Sequence, residues 1–323
     1  MKYFSIIAFL IFTAFLQQGR AQSSATATYR VVGYYKGDLL EAAEKVDFSK
    51  ITHLNVAFVN PDSNGVFPVV PGLTALVSKA HEHHVKIFAA IGGGKAPKYY
   101  KELISPVKSD LFVVNIRNLM DNYALDGIDV DIEGPLITSA YEGFIIKLAA
   151  VIKPQGLLTA AFATENATNI TANTIAQFDF INIMSYDKTG PWRPADSGPH
   201  SPYEMAEADL NFWKAKGATK EQLNLGVPFY GYAFNAKLTS LSYKRLLEDY
   251  PGAEKIDQLN LNGGGTVYYN GIPTIQKKTL LALKEAGGIM IWQLAQDAPG
   301  KKSLLTTIDT VIKNFNNTQR VKK

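Results

Sequence analysis

The 323-residue chain contains no cysteine. That excludes disulfide staples, thiolate nucleophiles, cysteine metal sites and a lipidated N-terminal cysteine. The fold must therefore rest on its apolar core, which a chain of this length can bury. Charge is also scarce: 19% of residues are Asp, Glu, Lys or Arg, and the formal net charge is +4. The basic residues are scattered rather than interleaved with aromatics along a stripe, which argues against nucleic acid as a partner. Only Arg320 to Lys323 is compactly basic. Histidines number five, and His81, His83 and His84 close a helical pattern, where imidazoles suit the helix C-terminal dipole better than a metal site without further ligands. After the first residues no apolar run approaches a membrane span, and there is no repeat or low-complexity linker to mark an appended module.

What is present begins with an address. Lys2, the apolar run Phe4 to Leu16 and the small residues of Gly19-Arg20-Ala21 read as a secretory signal peptide over 1–21, cleaved before Gln22. The competing reading is an N-terminal membrane anchor. A cleaved signal predicts a secreted or periplasmic protein whose residues 22–323 form one domain. Asn166-Ala167-Thr168, Asn169-Ile170-Thr171 and Asn316-Asn317-Thr318 are glycosylation sequons, relevant only in a glycosylating host.

From Thr28 onward, short β-branched runs alternate with longer helical patterns. Strands are expected near 29–35, 51–59, 85–91, 127–132, 158–163, 178–184, 223–227 and 288–292; the clearest helices are expected at 73–83, 109–123, 139–152, 203–216 and 275–286. Eight alternating pairs predict parallel strands with right-handed crossovers, closing into a (β/α)8 TIM barrel whose chemistry sits at the C-terminal strand ends. An open doubly wound sheet would require a Gly-rich phosphate loop after the first strand, and Gly33-Tyr34-Tyr35-Lys36-Gly37 is not one. Gly92-Gly93-Gly94-Lys95 likewise lacks the leading Gly and trailing Ser or Thr of a phosphate loop. Turn signals across about 235–270 predict a small insertion between strand 7 and helix 7.

The fourth strand carries the chemistry. In Asp126-Gly127-Ile128-Asp129-Val130-Asp131-Ile132-Glu133 the acids recur at every second residue from Asp129. A strand places Asp129, Asp131 and Glu133 on one face, about 6.6 Å apart in succession, and the aliphatics on the other. Burying three like charges is costly, so at least one should hold a proton near neutrality. That is the property a general acid needs, and Glu133 stands last, at the mouth. A solvated strand face and a divalent cation site are the bland alternatives; no histidine pairs with these acids at ligand spacing.

This segment resembles the signature of glycoside hydrolase family 18, the chitinases and their relatives. The resemblance extends through the chain: Gly33-Tyr34-Tyr35 on the first strand, Asn55-Val56-Ala57-Phe58 on the second, Met184-Ser185-Tyr186-Asp187 on the sixth, Gly226-Val227-Pro228-Phe229-Tyr230-Gly231 on the seventh, and Gly288-Ile289-Met290-Ile291-Trp292 with Gln296-Asp297 on the eighth. It implies substrate-assisted cleavage with no cofactor. Glu133 would protonate the glycosidic oxygen, and the substrate's own 2-acetamido oxygen would attack. Asp131 would turn between Asp129 and the acetamido N–H, while Tyr186 would bind the acetamido oxygen. Asp187 would hold the distorted sugar, Trp292 would floor it, and Met184, Tyr230 and Gln296 would complete the cleft. Tyr34 and Phe58 would line the barrel below the acids, a role that barely differs from core packing. Asp126 would bond backbone at the strand entry.

The chain also departs from the family pattern. Ala90 replaces a serine on the third strand and supplies no hydroxyl toward Asp129; Gly94 replaces a tryptophan platform; Ile132 and Gly134 flank Glu133 in place of aromatics; Tyr232 stands where a sugar-contacting arginine often stands. Trp213 fits a helix core, and Trp192 fits either a lid or a sugar platform. The expected protein is a monomeric, retaining endo-hydrolase of β-1,4-linked N-acetylglucosamine chains. The alternatives are the same chemistry on N-glycan cores or peptidoglycan, and a non-catalytic chitin-binding lectin.

Overall fold

A computed structural model describes residues 29–237 and 239–321; the expected signal peptide lies outside them. Seven strands, β1 (Arg30–Tyr35), β2 (His53–Ala57), β3 (Lys86–Gly92), β4 (Gly127–Asp131), β5 (Leu157–Phe162), β6 (Phe180–Ile183) and β7 (Leu223–Pro228), run parallel in sequence order. An antiparallel sheet follows, built from β8 (Tyr230–Phe234), β9 (Ser240–Ser242), β10 (Gln258–Asn260) and β11 (Thr266–Tyr268). The last strand, β12 (Gly288–Trp292), pairs with both β7 and β1 and closes an eight-stranded parallel barrel. This is the expected TIM barrel.

Helices α1 (Leu39–Lys45), α2 (Leu73–Glu82), α3 (Tyr100–Leu103), α4 (Ser109–Asn122), α5 (Tyr141–Ile152), α6 (Ala172–Ala176), α7 (Tyr203–Ala215), α8 (Tyr243–Asp249), α9 (Ile272–Glu285) and α10 (Leu304–Val321) surround it. The four-stranded sheet with α8 is the insertion. It starts at Tyr230, earlier than the turn signals indicated, because β8 follows β7 after the single residue Phe229. Among the described residues no helix is long and apolar enough to cross a membrane.

Strand alternation divides the core in two. Outward residues such as Ile128, Val130, Leu158 and Ala160 join the large cluster under the helices, with Trp213 fully buried among them. Inward residues form a second cluster of Val32, Tyr34, Ala57, Ala90, Ala161, Phe180, Tyr186, Tyr230 and Met290, against which Phe58, Met184, Tyr232 and Trp292 pack. The barrel is thus filled by side chains. Its upper layer carries the acids.

Asp126 closes the entry to β4, its Oδ2 accepting the Ile87 N–H at 2.8 Å and facing His81 Nε2 at 2.8 Å. His83 stacks on Phe48 with centroids 5.3 Å apart. His81 is thus held by a contact to Asp126 and His83 by packing on Phe48.

Candidate active site

The ladder of β4 ends at Asp131, and Glu133 continues as extended backbone with φ −120° and ψ 156°. The alternation therefore survives past the strand end, and all three acids face the barrel interior. Asp129 is fully buried and well bonded. Its Oδ2 accepts from Tyr34 Oη at 2.5 Å, and its Oδ1 from Thr159 Oγ1 at 2.6 Å and Asn182 Nδ2 at 3.3 Å. Burial raises its carboxyl to about 6, with the bonds from Thr159, Tyr34, Asn182 and Asn55 opposing the rise. Asp131 is buried with an unpartnered Oδ1. Burial first, then the charges of Glu133 and Asp129, pushes it well above the carboxylate range. Glu133 is raised to about 7 by burial and then by the Asp187 charge, while a hydrogen bond with Asp131 opposes the rise. Two carboxyls that share a hydrogen bond hold a proton between them, so this row keeps one available at neutral pH.

Backbone geometry presses Gly92-Gly93 against the acids. Gly92 has φ +107°, the N–H of the following Gly93 donates to the Asp131 carbonyl at 2.6 Å, and a Cβ on Gly92 would lie 2.2 Å from that same oxygen. Gly94 faces Glu133 itself, at 3.5 Å from Oε1 for a notional Cβ.

Across the mouth, Trp292 packs on Phe58 (centroids 5.6 Å, nearly stacked) and Tyr34 (5.5 Å). Tyr186 lies edge-on to Tyr230 at 6.2 Å, with its hydroxyl 3.9 Å from Met290 Sδ. Asp187 adopts φ +64° and accepts a hydrogen bond from Tyr230 Oη. His200, buried between Tyr230 and Tyr232, reaches Asp187 Oδ1 at 3.4 Å. The exposed indole of Trp192 stands edge-on to Tyr232 at 5.1 Å. The arrangement supplies a carboxyl raised to about 7, a second buried carboxyl with an unpartnered oxygen beside it, and a cluster of aromatic rings around Trp292 across the mouth.

A sequence model, Glycosyl hydrolases family 18, matches residues 30–297, which takes in every barrel strand. The chain belongs to this family. Among solved structures it is similar to a family 18 chitinase from the chitin utilization locus of Flavobacterium johnsoniae, with 37% identity, 89% of this chain and 94% of that one covered, and a TM-score of 0.83. It is also similar to a chitinase from Bacteroides thetaiotaomicron, with 25% identity, coverage of 88% and 96%, and a TM-score of 0.78. Among curated relatives, a class V chitinase from Arabidopsis thaliana is 26% identical over 311 residues, covering 83% of this chain and 80% of that protein. The chain spans only 13% of a probable chitinase 10 from Drosophila melanogaster and 55% of a chitinase-like effector from Moniliophthora roreri.

Within this family 18 barrel, Tyr34, Phe58, Met184, Tyr186, Tyr230 and Trp292 lie together in the interior cluster beside Asp129, Asp131 and Glu133. Asp187 joins them through Tyr230. Gln296 ends the turn Leu294–Gln296, just past the strand, and its buried Oε1 has no hydrogen-bond partner among the described residues. Its neighbour Asp297 instead accepts from the backbone of Leu304 and Leu305 and caps α10. Sequence reasoning missed Thr159, Asn182 and His200. Thr159 and Asn182 left a signal, each being the lone polar residue at an inward position of an apolar strand. His200 left none, because it arrives from a loop beyond β6. Thr159 also answers the missing serine at Ala90, since both flank Asp129 in register, one on each neighbouring strand.

Proposed function

We propose that the protein is a retaining endo-hydrolase of β-1,4-linked N-acetylglucosamine chains, acting by substrate-assisted catalysis. The observation that carries this reading is Asp131: buried, protonated more readily than an ordinary carboxyl, and holding an unpartnered acceptor next to Glu133. Such a group is suited to bind an acetamido N–H, and poorly suited to attack a sugar as a free carboxylate. In this scheme Glu133 gives its proton to the glycosidic oxygen as the C–O bond breaks. The 2-acetamido oxygen closes on the anomeric carbon to form an oxazolinium ion, whose N–H bonds Asp131 as positive charge develops. Water then opens the ring from the opposite face, giving its proton to Glu133, and the double inversion retains the β-anomer. Asp129, held by Tyr34, Thr159 and Asn182, balances the proton on Asp131. Trp292 offers an apolar floor for sugar C–H faces, and Trp192 with Tyr232 a second aromatic surface on the open side. The apolar N-terminal run supports export to the cell exterior or periplasm.

Partially deacetylated chitosan tests the sugar requirement. New reducing ends should be N-acetylglucosamine, and proton NMR of fresh product should show the β-anomer first. Glucosamine at the new reducing ends in quantity, or α-anomer first, would sink the mechanism. Parallel incubation with N-glycoprotein and cell-wall sacculi, both left intact, would separate chitin from the other N-acetylated substrates.

A further inference from the structure

We propose that Arg30, at the closed end of the barrel, is a positioning residue for the catalytic acids, acting on Asp129 through an oriented relay of two buried amides. Arg30 Nε donates to Asn224 Oδ1 at 2.9 Å, Asn224 Nδ2 donates to Asn182 Oδ1 at 2.9 Å, and Asn182 Nδ2 donates to Asp129 Oδ1 at 3.3 Å and to Tyr34 Oη at 3.2 Å. Every donor points the same way, from the cation toward the carboxylate. Chains of this kind polarise one another, each bond strengthening the next by roughly 10–30% in a low-dielectric interior. The relay therefore favours the ionised form of Asp129 at a distance from the cleft.

Three features mark the relay as built. Asn182 and Asn224 are fully buried on neighbouring strands, and each uses both its amide donor and its acceptor. Arg30 is anchored: it donates to the Glu221 carbonyl and lies over the Phe180 ring, 4.7 Å from the centroid. The start of β12 is also hollowed for it, since a Cβ on Gly287 would stand 2.7 Å from Arg30 Nη2 and one on Gly288 2.2 Å from Asn224 Oδ1. Burial pulls the guanidinium down to about 10, so it stays charged at neutral pH.

The groups facing Asp129 are Tyr34 from β1, Asn55 from β2, Asp131 from its own strand, Thr159 from β5, Asn182 from β6 and, further out, Tyr141 from α5; β3 opposes it with Ala90. Around Arg30 stand Tyr29, His53 and Glu221. The Glu221 carboxylate acts on Arg30 from outside the relay and offsets part of the field it sends upward, while Nε remains committed to Asn224.

The inference rests on the proposed mechanism for its meaning, and its test does not. Aspartate side-chain carbons labelled with 13C are titrated by NMR, with the Asp129 signal assigned by its loss in Asp129→Asn. Arg30→Gln, which keeps a donor and removes the charge, and Asn224→Leu, which cuts the relay and keeps the charge, should both raise the Asp129 titration by about half a unit to one unit. Arg30→Met, if it folds, should match them, and Arg30→Lys should restore most of the wild-type value. The acid limb of kcat/KM on chito-oligosaccharides should move up by the same amount, with the basic limb unchanged. An unmoved Asp129 in Arg30→Gln overturns the proposal, as does a melting-temperature loss without a titration shift. A shift in Arg30→Gln with none in Asn224→Leu overturns the relay in favour of a through-space field. If Asp129 shifts as expected while N-acetylated chains are not cleaved, the relay stands and the functional reading fails.

Discussion

Replacing Thr159 by valine tests how the chain manages without a hydroxyl at Ala90. The change keeps shape and removes one bond, the 2.6 Å contact from Thr159 Oγ1 to Asp129 Oδ1, between two fully buried residues. A hydrogen bond to a charged group contributes about 1.5–3 kcal/mol, and one pKa unit corresponds to about 1.36 kcal/mol, so the loss amounts to about one to two units. The lost bond favoured the ionised form, so the Asp129 value rises from about 6. Glu133, the acid of the proposed mechanism, is raised by burial to about 7. The pH window in which Asp129 is ionised while Glu133 is protonated therefore closes from the acid side. Measured as kcat/KM on a fluorogenic chito-oligosaccharide, the acid limb should move up and activity at pH 5 should fall by about ten- to a hundredfold, with the basic limb in place. Adding Ala90→Ser, on the strand position paired with Asp129, should move the acid limb back. A uniform loss at every pH, or a displaced basic limb alone, would refute the reasoning.

Four further outcomes follow from the same geometry. Glu133→Gln should lower turnover by about a hundred- to ten-thousandfold while leaving sugar binding intact, read by calorimetric titration. Because burial raises Glu133 in the folded protein from 4.5 to about 7, its ionisation destabilises the fold as pH rises through that range and not below about pH 4; scanning calorimetry should find Glu133→Gln more stable than wild type at pH 8 and equal to it at pH 4. Gly92→Ala forces a Cβ to within 2.2 Å of the Asp131 carbonyl at φ +107°, so activity should collapse even where circular dichroism shows a folded barrel. Gly94→Trp has room for its Cβ beside Glu133, and should fold normally and tighten binding of longer oligomers, seen as a lower KM with little change in kcat.

Much of the site was legible because a strand's period of two is unforgiving. Asp129, Asp131 and Glu133 share a face at any plausible register, and the aliphatics between them define which face is inward. Residues on the ends of other strands, Tyr34, Tyr186 and Trp292, came through motif resemblance, since their meeting depends on barrel closure. Gln296 came by the same route; it lies in the turn past the eighth strand with its Oε1 buried and unpartnered, beside Asp297, which caps α10.

The sequence alone determined the eight-fold alternation, the acid row and the inward face, because these depend on local periodicity and on the cost of burying like charges. Tertiary structure decided which neutral groups surround each acid. Thr159 stands beside Asp129 only because β5 pairs with β4 in that register, and Asn182, Asn224 and Arg30 line up only because closure brings β6, β7, β12 and β1 side by side. His200 reaches Asp187 from a loop whose path no local pattern encodes. A carboxylate's proton affinity is a sum over its spatial neighbours, and in a closed barrel those neighbours come from distant strands, as Asp129 shows with Thr159 30 residues, Asn182 53 residues and Tyr34 95 residues away in sequence.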